Sequence, residues 1–179
     1  MSHAEDRRLA VCERRLLGIV LERCESRHPW QDHFWRAGAL FPEGGPVGEW
    51  RLLGEGPGWR RFYAGALPLE LYSGETVGYR ENLSSRQPVV YVVLRRREGA
   101  HEIAPLLVTA CPLEAQGYND SGDDIVEAVP MPPAVEAWVR HFVNCHHVEK
   151  PFVKRERKSR RDEAGGGPGR RTGEPNEET

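Results

Sequence analysis

The chain predicts an α+β fold: a mainly antiparallel sheet or partly closed barrel of short strands, with a C-terminal amphipathic helix packed on it. Three observations predict this. Short β-forming or alternating runs recur between close turn signals. The run Val89 to Leu94 is continuous and largely β-branched, as a covered central strand requires. From Val135, residues Trp138, Val139, Phe142, Val143 and His146 fall at helical spacing on one stripe.

Leu16 to Leu21 reads as the first strand, because it is rich in β-formers and short for a helix. A polar, aromatic turn follows from His28 to Arg36, then a second strand from Ala37 to Phe41, closed by Pro42-Glu43-Gly44-Gly45-Pro46. Glu49 to Leu53 and Trp59 to Ala64 form a hairpin around Gly54 to Gly58. Leu67, Leu69 and Leu71 alternate with Pro68, Glu70 and Tyr72, the pattern of a half-buried strand. Ser73 caps a short helix through Leu83, which Gly78 weakens. Val89 to Leu94 pairs with Leu106 to Ala110 across the Gly99 turn, and Pro105 limits that partner to a short or edge piece. Asn119 to Asp124 is a turn, Ile125 to Val129 the last strand, and residues 132–147 the closing helix. Pro132 and Pro133 suit its first turn, where an amide hydrogen would have no acceptor.

The domain reading is a disordered stretch over 1–13, one α+β domain over 14–149, and a disordered tail over 150–179 that is basic and then Gly-rich. Residues 1–149 hold 16 arginines and 21 acids, a net charge of −5, whereas 150–179 carry +3. Such charge blocks are usually solvated and often serve as interaction arms. The four cysteines lack close pairing and no secretory apolar stretch opens the chain, so a reducing cytoplasm is the expected location. The longest apolar run is far too short for a membrane span, which takes about 20 residues. The acidic body opposes a phosphate field, which argues against nucleic acid.

The densest functional-looking cluster is His28, Asp32 and His33 among Trp30, Phe34 and Trp35. Asp32 could orient a histidine acting as general base, but no motif marks a nucleophile. Alternatively, Trp30 and Trp35 plug one end of the sheet while Gln31 and Asp32 satisfy turn amides. Exposed Trp and Arg would also suit a protein contact. Cys145-His146-His147 cannot all face one ion on a helix, where successive residues turn by about 100°. His146, within the apolar stripe, reads as a core histidine. No catalytic residue, metal site or cofactor is expected.

Pro29-Trp30-Gln31-Asp32-His33 with Trp35-Arg36, Arg61 to Gly65, Tyr79 to Leu83, Tyr91 to Arg95, Glu127 to Pro132 and His146 to Phe152 occur in one order over roughly residues 15–155. In these segments the chain resembles a bacterial domain-of-unknown-function family, number three-three-zero-five in words. The resemblance implies small proteins encoded beside respiratory formate dehydrogenase genes, hence an accessory role in handling a molybdenum enzyme. A nucleotide-transferase activity is not expected, because Cys24 to Pro29 lacks the glycines a phosphate loop needs.

The expectation is a non-catalytic module that assists assembly or cofactor handling of a molybdenum-dependent formate dehydrogenase. Its partner would be a subunit of that enzyme or a maturation factor. The alternative is a small enzyme or ligand-binding protein using Asp32, His33 and Arg36 around a molybdopterin-type anion. The expected contact residues are Trp30, Gln31, Asp32, His33, Trp35 and Arg36 from the aromatic turn. Arg80, Asn82, His147, Glu149, Phe152, Lys154 and Arg155 join them from the later motifs and the basic arm.

Overall fold

The computed structural model describes residues 12–99 and 101–148, in a unit spanning Met1–Val148. The chain runs β1 (Cys12–Glu25), β2 (His33–Phe41), β3 (Arg51–Gly56), β4 (Trp59–Tyr72), a 3-10 turn (Ser73–Glu75), α1 (Thr76–Ser84), β5 (Val89–Arg96), β6 (Ile103–Thr109), α2 (Pro112–Ser121), β7 (Asp124–Pro130) and α3 (Pro133–His146). The seven strands form one sheet in the order β2-β1-β4-β6-β5-β7, with β3 added to β4. Every pairing is antiparallel except β4 with β6, which meet in parallel at Leu69 and Val108. Strands β2 and β7 come alongside without forming a ladder, which leaves a nearly closed barrel. The α+β reading with a C-terminal helix therefore holds.

The core is continuous from strands to helix. Leu17, Ile19 and Leu21 of β1, Leu69 and Leu71 of β4, and Val90, Val92 and Leu94 of β5 pack with Val135, Trp138, Val139, Phe142 and Val143 of α3. All five of those α3 residues are buried, as the helical stripe demanded. Pro132 sits just before the helix and Pro133 in its first turn.

Several boundaries differ from the sequence reading, each for a tertiary reason. Strand β1 begins at Cys12, so residues 12 and 13 are structured: the Trp138 indole donates to Glu13 at 2.7 Å. The two strands read at 59–64 and 67–72 are one strand, β4, interrupted by an irregularity at Gly65. Gly65 has φ +93, and a Cβ there would lie 3.0 Å from the Gly48 nitrogen, so only glycine suits both demands. The aromatic turn is shorter than expected, because His33 to Arg36 belong to β2.

Helix α2 falls where the sequence reading placed part of a turn. Only Ala115 is clearly buried among its apolar residues, so it lacks a readable stripe. Gly122, with φ +73, ends it. Gly78, which weakened the expectation for α1, is where the Cys111 thiol presses: a Cβ would meet Sγ at 2.8 Å. His146 lies at the rim of the core against Phe142, with ring centroids 4.6 Å apart, rather than within it.

Candidate functional site

Two rows of side chains cross the exposed face of β2-β1-β4. Glu22 of β1 stands opposite Arg36 of β2 on one side and Arg61 of β4 on the other, and Cys24 stands opposite Phe34 and Trp59. Directly paired residues share a face, and positions two apart along a strand do too, so the rows are neighbours. Phe34 is 41% and Trp59 39% exposed, while Glu22 is only 6% exposed.

Arg36 places Nε and a terminal nitrogen on Glu22 Oε2 at 2.7 and 2.6 Å, and Arg61 places the equivalent pair on Oε1 at 2.8 and 2.6 Å. Burial alone would push the Glu22 carboxyl up. The hydrogen bonds and charges of Arg61 and Arg36 outweigh that and hold it below its usual 4.5. Gly38 makes this possible, because a Cβ there would lie 2.8 Å from the Glu22 carboxyl carbon. The Arg61 guanidinium also lies 5.5 Å from the centre of the Trp59 ring. Across the barrel seam, half-buried Glu127 adds a negative charge near Arg36, and burial raises its own pKa.

The depressed carboxylate sets a pH dependence. A group ionised more readily in the folded than in the unfolded state stabilises fully above its unfolded pKa, and that contribution is lost as pH falls through the folded value. Glu22 should thus stabilise above about pH 4.5 and progressively less below it. Urea midpoints measured across that range should fall for wild type and fall less steeply for Glu22→Gln. Parallel curves would show that Glu22 does not contribute.

On the opposite face, Trp35 packs with Trp50 and Phe62 at centroid distances of 5.9 and 5.7 Å, and His101 joins the cluster by stacking on Trp50 at 4.0 Å and 6° and lying 5.8 Å from Phe62. Trp35 is thus half-buried in an aromatic plug, not a surface anchor, and its buried indole nitrogen faces Glu102 without reaching ordinary hydrogen-bond geometry. Trp30, by contrast, is 88% exposed on the turn. Of the two tryptophans, Trp35 alone is part of a plug, and Trp30 stands in solvent.

His33 is paired with a carboxylate that sequence proximity did not suggest. Its Nε2 lies 2.7 Å from Glu102, in the loop between β5 and β6, and its Nδ1 lies 3.1 Å from Arg23. A guanidinium can only donate, so Nδ1 accepts from Arg23 and Nε2–H donates to Glu102. Both ring nitrogens are engaged, which leaves no lone pair for a general base. The bond from His33 holds the Glu102 carboxyl below its usual range, and Glu102 itself adopts φ +58, uncommon for a non-glycine residue. Asp32 contributes its backbone carbonyl to the turn, accepting from the Ser26 amide at 3.0 Å, and Gln31 donates its amide to the His28 carbonyl at 3.2 Å. Asp32, His33, Arg23, Arg60 and Trp59 line a groove of about 440 Å³. Arg36, which the anion-binding alternative grouped with Asp32 and His33, is instead committed to Glu22 on the other face.

A second groove, of about 410 Å³, lies between α1 and α3 and includes Arg80, Arg140, Asn144 and His147. Arg80 donates to His147 Nε2 at 3.1 Å, so His147 Nδ1–H donates to the Thr76 hydroxyl at 3.1 Å, and Thr76 donates to the Ser73 carbonyl. The structure therefore brings Arg80 and His147 together. Asn82 is separate: it is 5% exposed and its amide is fully engaged with backbone groups, which makes it a structural clip rather than a contact residue. Glu149, Phe152, Lys154 and Arg155, with the tail as a whole, lie outside the described residues.

Among the described residues no group of three or more His, Cys, Asp or Glu could hold a metal ion, although His141 and Cys145 approach to 3.6 Å on α3. No described helix is long and apolar enough to cross a membrane.

Sequence reasoning missed Phe34, Arg61 and Trp59 as a joint surface, and Glu22 as their organiser. The available signal was strand alternation in 22–24, 34–36 and 59–61, which becomes informative only once the three strands are known to be adjacent.

The fold and this face define a small α+β barrel-like domain with an aromatic and arginine surface that is exposed among the described residues. The chain belongs to a family described as "Protein of unknown function (DUF3305)", whose model matches residues 16–156. No curated protein and no solved structure matches it.

Proposed function

We propose that the protein is a non-catalytic binding module that assists assembly or cofactor handling of a molybdenum-dependent formate dehydrogenase, acting in the cytoplasm. The observation that carries the binding reading is the juxtaposition of exposed Phe34 and Trp59 with Arg36 and Arg61 on one strand face. Aromatic residues and arginines dominate protein contact energies, and a rigid sheet presents them at low ordering cost. The engagement of both His33 nitrogens supports a structural over a catalytic use of that histidine. The enzyme named as partner comes from the family resemblance alone.

The test is affinity capture from the native host, followed by titration of purified formate dehydrogenase subunits against the full chain. Trp59→Ala should weaken association about tenfold to a hundredfold, mainly by faster dissociation. The fold should survive, since the ring is substantially exposed. Equal affinity for wild type and variant would remove the strand face from the contact. Saturable turnover that depends on Asp32, without any protein partner at low salt, would favour the ligand-processing alternative in the groove.

A further inference from the structure

Resting on the binding-module reading, we infer that the Arg36–Glu22–Arg61 row is a receptor for an acidic segment of the partner protein, with Phe34 and Trp59 holding the apolar residues beside its carboxylates. One buried carboxylate orients two guanidiniums, each through Nε and one terminal nitrogen. Each guanidinium carries five N–H donors. The remaining donors belong to side chains that are 54% and 51% exposed, so they are held in place yet open to solvent. Two positive charges stand against one negative in the row itself. Glu127, the other acid acting on Arg36, lies half-buried at the seam.

This arrangement is suited to carboxylates. The planar fork of arginine matches a carboxylate, and fixing the fork beforehand lowers the ordering cost of each bond. Arg36 and Arg61 rise from the strands on either side of β1, about 9 to 10 Å apart at the backbone, and their guanidiniums converge on the two oxygens of one carboxylate, so two forks stand together in one row. The aromatic row lies immediately beside it, so an acidic residue next to a bulky apolar one would meet both rows together.

The test uses the full chain and a short fluorescein-labelled peptide in which glutamates alternate with leucine and phenylalanine, read by fluorescence anisotropy. Arg61→Gln should weaken binding about tenfold, as should a peptide with glutamine in place of glutamate. The basic residues between 150 and 161 are identical in wild type and variant, so the difference reports the strand face. Because Arg61→Gln leaves Glu22 with one partner, circular dichroism must show native signal. Trp59→Ala, which leaves the Glu22 bonds intact, supplies a second variant with the same expected direction. Equal binding by wild type and both variants would overturn the inference, and so would displacement of the peptide by millimolar inorganic phosphate as effectively as by free glutamate peptide. If Trp59→Ala weakens capture of the native partner while the acidic peptide binds wild type and Arg61→Gln equally, the acidic-segment inference fails and the binding-module reading stands. If neither the partner nor the peptide responds to any variant, both fail.

Discussion

Asn82→Ala is expected to destabilise the protein by about 3 kcal/mol or more, with no specific effect on partner affinity once the folded fraction is accounted for. The Asn82 side chain donates to the carbonyls of Val89 and Ala110 at 2.7 and 2.8 Å and accepts from the Val89 amide at 3.0 Å. It thereby ties α1 to the start of β5 and to the end of the β6 segment. Truncation strands three backbone groups in a buried site, and each such group costs about 1 to 3 kcal/mol, reduced where water can enter. Urea denaturation followed by circular dichroism measures the loss. Unchanged stability with lost partner binding would restore Asn82 to the contact surface where the sequence motif had placed it.

Phe142→Ala is expected to cost about 3 to 5 kcal/mol, the usual range for removing a fully buried aromatic ring. Phe142 is 0% exposed, with its ring 6.4 Å from Tyr79 and 4.6 Å from His146. It is the point where α1 and α3 meet the sheet core, so the cavity has rigid walls and collapses poorly. For a domain of this size the melting temperature should fall by roughly 10 °C. Phe142→Leu should recover most of the loss. A shift of only a degree or two would mean that α3 is not an integral part of the core.

The α3 stripe was legible because a helix on a core imposes a local 3.6-residue period, and each of Val135, Trp138, Val139, Phe142 and Val143 could be counted without knowing the rest of the fold. The central strand β5 was legible for a similar reason, since burial on both faces requires a continuous apolar run. Helix α2 was not, because it buries little and carries no stripe. The split of β4 into two expected strands came from Gly65, whose meaning depends on Gly48 approaching it across the chain.

The candidate site was less legible than the fold. Trp30 and Trp35 are five residues apart in a turn-like stretch, yet one projects to solvent and the other enters an aromatic plug with Trp50, Phe62 and His101. Local sequence gave no means of assigning them. His33 has Asp32 beside it in sequence, but Asp32 belongs to the turn before β2, where its carbonyl accepts from the Ser26 amide, and the carboxylate on His33 arrives from Glu102 instead.

By itself, the sequence determined the α+β class, the helical face of α3, the central strand and the charge contrast between body and tail, because periodicity and composition are properties of nearby residues. Only the tertiary structure decided that Glu22 would lie between Arg36 and Arg61, that Phe34 and Trp59 would share a face, and that Asn82 would turn inward. Those outcomes depend on strand order and register, which long-range burial selects and no local pattern encodes.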